Sequence, residues 1–120
     1  MTVDDARRVE LTWRIHGGAT PLLVREIVEP VTAFGEPHVL IAAQLVANNA
    51  MSPIEAVTHN ARLAVGSIAL VGDQYYLRAV LAIEGVGTAV LDRALEFVAH
   101  EAARLRALYA PTIAGAIYVD

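Results

Sequence analysis

The stretch LAIEGVGTAVLDRAL, Leu81 to Leu95, sets a Gly-Val-Gly turn between an apolar run and a helical pattern. A nucleotide-binding chain grips a phosphate at such a place, with backbone N–H groups and the positive end of a helix. The dinucleotide fingerprint also needs a third glycine where Val90 stands, a parallel βαβ unit and an acid at the end of the next strand. Beyond the helix the sequence holds Pro111 and a short tail, too little for the rest of a nucleotide domain. Gly85-Val86-Gly87 therefore reads as a strand-to-helix connection, with Gly87 or Thr88 capping the helix.

His100-Glu101 opens HEAAR, but a zincin helix needs histidine where Arg104 stands. The spacings Glu96 to His100 and Glu101 to Arg104 suit ordinary helical pairs on a polar face. His16, His38, His59 and His100 share no ligand-like spacing, so no metal site is expected. His59-Asn60 could supply half of an acid–base pair, yet no neighbouring carboxylate orients it; Asn60 fits a capping or helix–sheet packing role better. The serines and threonines lack a G-x-S-x-G context, and paired carboxylates have no positive support. No catalytic, cofactor-binding or metal residue is assigned.

Composition closes other routes. Cysteine and lysine are both absent, which removes thiol chemistry, disulfides, Schiff bases and the phosphate-gripping lysine of a P-loop. A net charge of -4 with nine scattered arginines argues against sequence-independent nucleic-acid binding. The N-terminal MTVDDARRVE lacks a signal-like apolar core, and runs such as Val39 to Val46 are far shorter than the roughly 20 residues that span a bilayer. A soluble, cytoplasmic protein with no membrane partner is expected. Its hydrophobic fraction, 56%, is high for one small domain and points to surface shared with a partner.

The elements that would position any site emerge from periodicity. Val9, Leu11, Trp13 and Ile15 alternate with Glu10, Thr12, Arg14 and His16, as in a half-buried antiparallel strand ended by Gly17-Gly18. Pro21 resets the chain before an extended run from Leu22 to Phe34, in which Pro30 favours an edge, a bulge or a break. Gly35-Glu36-Pro37 then turns the chain into His38 to Val46, whose near-continuous apolarity suggests a central strand, with a short helix as the competing reading. Ser52-Pro53-Ile54-Glu55 is a capping box with proline at the first helical position, predicting a helix to about Ala64 with Gly66 near its end.

Ser67 to Val71 and Tyr75 to Glu84 form a hairpin about Gly72-Asp73-Gln74, with Leu77, Leu81 and Ile83 on one face. From Thr88, the residues Leu91, Leu95, Val98, Ala102, Leu105 and Tyr109 recur at alternating spacings of four and three, a sustained helical stripe that Pro111 stops. The expected fold is α+β: one domain over residues 1–120, with an antiparallel sheet of about five strands (β-β-β-α-β-β-α), helices on one side, and loose termini at 1–8 and 112–120. On the hairpin's second face Tyr76, Arg78, Val80 and Ala82 combine an aromatic and an arginine with aliphatics, the composition of an interface core. Tyr76, Arg78 and Val80 are the candidate partner-binding residues.

THNARLAVGSIAL (Thr58 to Leu70), DQYYLRAVLAIEG (Asp73 to Gly85) and AVLDRALEFVAHEAARLR (Ala89 to Arg106) together resemble the class I type III secretion chaperone and YbjN-like superfamily. That family shows a helix ending in an Asn-containing, Leu-rich turn, a hairpin whose second strand carries Leu-Arg, and a long Ala/Leu-rich helix. The resemblance implies a small acidic bacterial protein, often homodimeric, that needs neither ATP nor metal and holds extended segments of another protein on apolar surface. YbjN-like members are described as regulatory. The family opens with an N-terminal helix, for which only Thr2 to Arg8 is available here.

The expectation is thus a non-enzymatic protein-binding module, chaperone-like or regulatory, without cofactor and acting as a homodimer on an unidentified protein partner. The alternatives are a small-ligand or enzymatic α+β domain using His59 or His100 as acid–base group, and a structural subunit of a larger assembly.

Overall fold

The computed structural model describes residues 2–3, 8–15, 22–82 and 87–117, of which 2–3 and 110–117 by backbone alone. His16, Gly17-Gly18, Pro21, Ile83, Glu84 and Gly85-Val86 lie outside the described residues. The elements run β1 (Thr2–Val3), β2 (Val9–Ile15), β3 (Leu22–Ala33), β4 (Glu36–Ala47), α1 (Pro53–Asn60), β5 (Ser67–Val71), β6 (Gln74–Ala82) and α2 (Thr88–Ile117). The six strands form one sheet in the order β1-β2-β3-β4-β6-β5. Every pairing is antiparallel, so the fold is α+β as the periodicities predict, with a two-residue strand added at one edge. Thr2 and Val3 pair with β2, where the family resemblance has a helix.

Period-two alternation sorts the sheet into two faces. Trp13 stands opposite Val24, Glu26 opposite Ala43, and Ala43 opposite Leu77, all on the face that receives the helices. Val24, Ile41, Ala43 and Leu77 are fully buried there, beneath Val98, Ala99, Ala102 and Leu105 of α2. Removing each large side chain from water contributes about 1.5–3 kcal/mol, and the alanines let α2 approach the sheet closely. All six residues of the predicted stripe belong to this core or pack against it. Met51 and Ala56 bring α1 onto the same side.

Five local features differ from the sequence expectation or sharpen it. The turn between β3 and β4 is Phe34-Gly35, both with positive φ (55° and 76°), and the second strand already begins at Glu36. Two residues in the left-handed region match the twist of a tight hairpin, at a cost of about 1–2 kcal/mol for Phe34, which is wholly exposed.

Pro30 neither breaks nor bulges β3. It pairs in register with Val39, two residues past the last partner of β2 at Val28. Alternation back from the tight turn aims its backbone nitrogen away from β4, so the pairing with β4 loses no ladder bond.

The first helix ends at Asn60, short of Ala64, because the Asn60 side chain is used elsewhere. Its Oδ1 accepts from the N–H of Ile68 at 2.6 Å and its Nδ2 donates to the carbonyl of Ile68 at 3.2 Å. The carboxamide thus takes the place of a neighbouring strand's peptide at the edge of β5. Gly66 enters that strand at φ +83°, where a Cβ would lie 2.6 Å from the Arg78 carbonyl oxygen, so it is a close-approach glycine and not a helix cap.

Pro111 does not stop α2, which continues to Ile117. A proline removes one backbone hydrogen bond and strains the turn before it, but its fixed φ is itself helical.

Candidate functional site

The face of the sheet opposite the helices carries the predicted residues. Rows across β3, β4 and β6 read Ile27–Ala42–Arg78, Glu29–Leu40–Val80 and Val31–His38–Ala82. Tyr76 comes next on β6, opposite Gln44 and Ala69. Ile27, Leu40, Ala42 and Val80 stand apart from the core under the helices, and no described helix lies over them. Leu40 is nonetheless buried in the middle of this face, Tyr76 and Arg78 are half-buried, and Val80 is 52% exposed. Toward β2, Arg25 donates to Glu10 at 2.7 Å and this bond holds the Glu10 carboxyl below its ordinary range. The result is an apolar strip with an ion pair along one flank.

The described histidines do not converge on this face. His38 Nδ1 lies 2.9 Å from the carbonyl of Glu36 near the hairpin end, and His100 is exposed against the edge of the Trp13 ring. Among the described residues no group of three histidine, aspartate or glutamate side chains could hold a metal ion. Arg104 bonds Glu101 through both Nε and Nη2, so that part of HEAAR is the helical pair its spacing predicts.

His59 has a partner that sequence reasoning missed. Its Nε2 and the Tyr109 hydroxyl share a hydrogen bond of 2.5 Å across a shallow groove of about 370 Å³, lined by Ile54, Glu55, Thr58, His59, Leu108 and Tyr109. Burial, and then the charge of Glu55, push the Tyr109 hydroxyl above its ordinary value, so it keeps its proton. The backbone and side chain of Ser52 hold the Glu55 carboxyl low, which keeps it ionised in its capping box. Thr58 gives its hydroxyl proton to the carbonyl of Ile54, so it offers no free nucleophile.

A second missed group lies in the core. Glu26 is completely buried, its Oε1 accepts from Trp13 Nε1 at 2.9 Å, and its Oε2 has no partner. Loss of solvent raises its carboxyl to about 7 against the smaller opposing effect of the indole bond. Periodicity does not single it out, because apolar residues stand at both parities of β3: Leu22, Val24 and Val28 at one, Leu23, Ile27 and Val31 at the other.

The Gly-Val-Gly reading can be checked at its last residue. The Gly87 carbonyl accepts from Val90 and Leu91, which places Gly87 at the helix cap, and a Cβ there would meet no atom within 4 Å. The strand before it, β6, is antiparallel to both its neighbours, so the βαβ unit of a nucleotide fold is absent.

No helix among the described residues is long and apolar enough to cross a membrane. Comparisons with family models, with curated proteins and with solved structures find no match.

Proposed function

We propose that this chain is a non-enzymatic protein-binding module, chaperone-like or regulatory, that holds an extended apolar segment of a partner protein and acts as a homodimer in the cytoplasm. The observation that carries the reading is the face that no described helix covers, on which Tyr76, Arg78 and Val80 adjoin Leu40 and Ala42 in register. The order of α1, the β5–β6 hairpin and α2 supports the resemblance to the class I secretion chaperone and YbjN-like superfamily, which implies the same role.

A permanently unfolded probe, reduced and carboxymethylated lactalbumin, tests the reading by fluorescence anisotropy. The protein is expected to bind it, and Val80→Glu and Tyr76→Ala to weaken binding several-fold while the far-ultraviolet circular dichroism is unchanged. Absence of binding, or equal binding by both variants, overturns the reading.

The short His59–Tyr109 bond in an open groove favours one second reading, a small-ligand site with His59 as acid–base group. A ligand-induced melting shift abolished by His59→Gln, but not by His100→Gln, would establish it.

A further inference from the structure

Arg14, Arg25 and Arg78 share the open face, and the register sets them in order. Arg14 pairs with Leu23, Arg25 stands two residues further along β3, and Arg78 lies in the next row, Glu10–Ile27–Ala42–Arg78. With strands about 4.8 Å apart and same-face rows about 7 Å apart, the three follow one diagonal of roughly 20 Å. Ile27, Ala42, Leu40 and Val80 lie along one side of that line.

Two acids share the face. Glu10 accepts from Arg25, and the charge of Arg8 acts on it in the same sense, so its charge is already answered. Glu29 lies one row beyond Ile27, off the diagonal. The chain as a whole carries -4, so a line of positive charge on this face stands against a negative body and selects partners by sign.

The apolar side of the line selects further. A phosphate polymer would satisfy the arginines and leave Ile27, Leu40 and Val80 against water. An extended polypeptide instead turns every second side chain to one face, about every 7 Å, so about six residues cover the diagonal. Such a segment can set acids at both ends of the line and apolar side chains between them.

We propose that the segment held by this face is acidic: an extended stretch laid obliquely across β2, β3, β4 and β6, with carboxylates over Arg14 and Arg78 and apolar side chains between them over Ile27 and Ala42. This rests on the reading of that face as a binding surface and adds the chemistry of its partner.

Fluorescence anisotropy with three labelled peptides, alternating valine with glutamate, serine or lysine, tests the assignment. The glutamate peptide is expected to bind several-fold more tightly than the serine peptide and the lysine peptide least, with the preference shrinking as salt is raised. Arg14→Glu and Arg78→Glu should each weaken the glutamate peptide by about fivefold or more, and together they should favour the lysine peptide. Glu29→Gln should tighten the glutamate peptide. Arg93→Glu makes the same change of net charge on α2, across the sheet, and should leave binding nearly unchanged. All four positions reach solvent, and circular dichroism checks that each variant folds.

Equal binding of the three peptides, no binding of the glutamate peptide, or an effect of Arg93→Glu as large as that of Arg78→Glu overturns the proposal. So does a single-stranded oligothymidylate that displaces the glutamate peptide and binds more tightly, which would make the face a phosphate site. If the peptides are not distinguished but the unfolded probe binds and Val80→Glu weakens it, the face still holds a segment and only its acidity fails. If the peptides behave as expected but the unfolded probe never binds, the acidic site stands and the chaperone-like reading fails.

Discussion

The indole of Trp13 on β2 gives Glu26 on β3 its one hydrogen bond among the described residues, 2.9 Å long, inside a largely apolar core. Val24, Ile41 and Ala43 around it are fully buried, and α2 covers them. Burying a carboxylate with one donor costs more than burying the neutral acid, which is why this group keeps its proton to about 7.

Stability should therefore fall as pH rises. The folded state holds the Glu26 proton to about 7 whereas the ordinary value is 4.5, so the contribution is complete below 4.5 and is lost through 7. The expected loss is on the order of 2–3 kcal/mol. Denaturant midpoints measured across that window, followed by the fluorescence of the single tryptophan, should shift for the wild type and stay nearly level for Glu26→Gln.

Asn60→Ala should destabilise the protein by about 1–3 kcal/mol, since the main-chain groups of Ile68 lose both partners. Hydrogen exchange at the Ile68 amide should accelerate with it. An unchanged exchange rate would show that the carboxamide is not what protects that edge.

The glycines should rank by geometry. Gly72 has φ +65° and open space, so Gly72→Ala costs about 1 kcal/mol. Gly66→Ala adds a collision with the Arg78 carbonyl and should cost roughly 2–4 kcal/mol. Equal melting temperatures for the two variants would contradict this order.

Tyr75→Phe should stabilise the fold by about 1 kcal/mol. The Tyr75 hydroxyl is buried without a hydrogen-bond partner, and its removal leaves the ring packed among core residues. Urea midpoints of the two proteins decide it.

What could be read in the chain was local. The capping box Ser52–Glu55, the Gly72 hairpin and the stripe from Leu91 to Tyr109 each lie within a few turns or one strand pair, and each forms as its spacing predicts. Some of the readings that failed depend on partners outside the local pattern, and others on a backbone conformation the residue type does not announce. Asn60 leaves helical duty for a strand eight residues on, and His59 meets Tyr109 fifty residues away. Phe34 takes a left-handed turn position that asparagine or glycine would normally announce. Glu26 is buried in a strand whose two parities are both apolar, and a charge there reads first as a solvent-facing residue.

Asn60 and Pro30 together decide how this apolar chain can grow. A bare strand edge is a template on which further chains add without end, and 56% hydrophobic residues would favour that fate. The amide of Asn60 occupies the main chain of Ile68 in β5, while Pro30 removes a donor from β3 beyond Val28, its last residue paired with β2. Fibre formation is obstructed at both places, and Asn60→Ala should be the variant that seeds it.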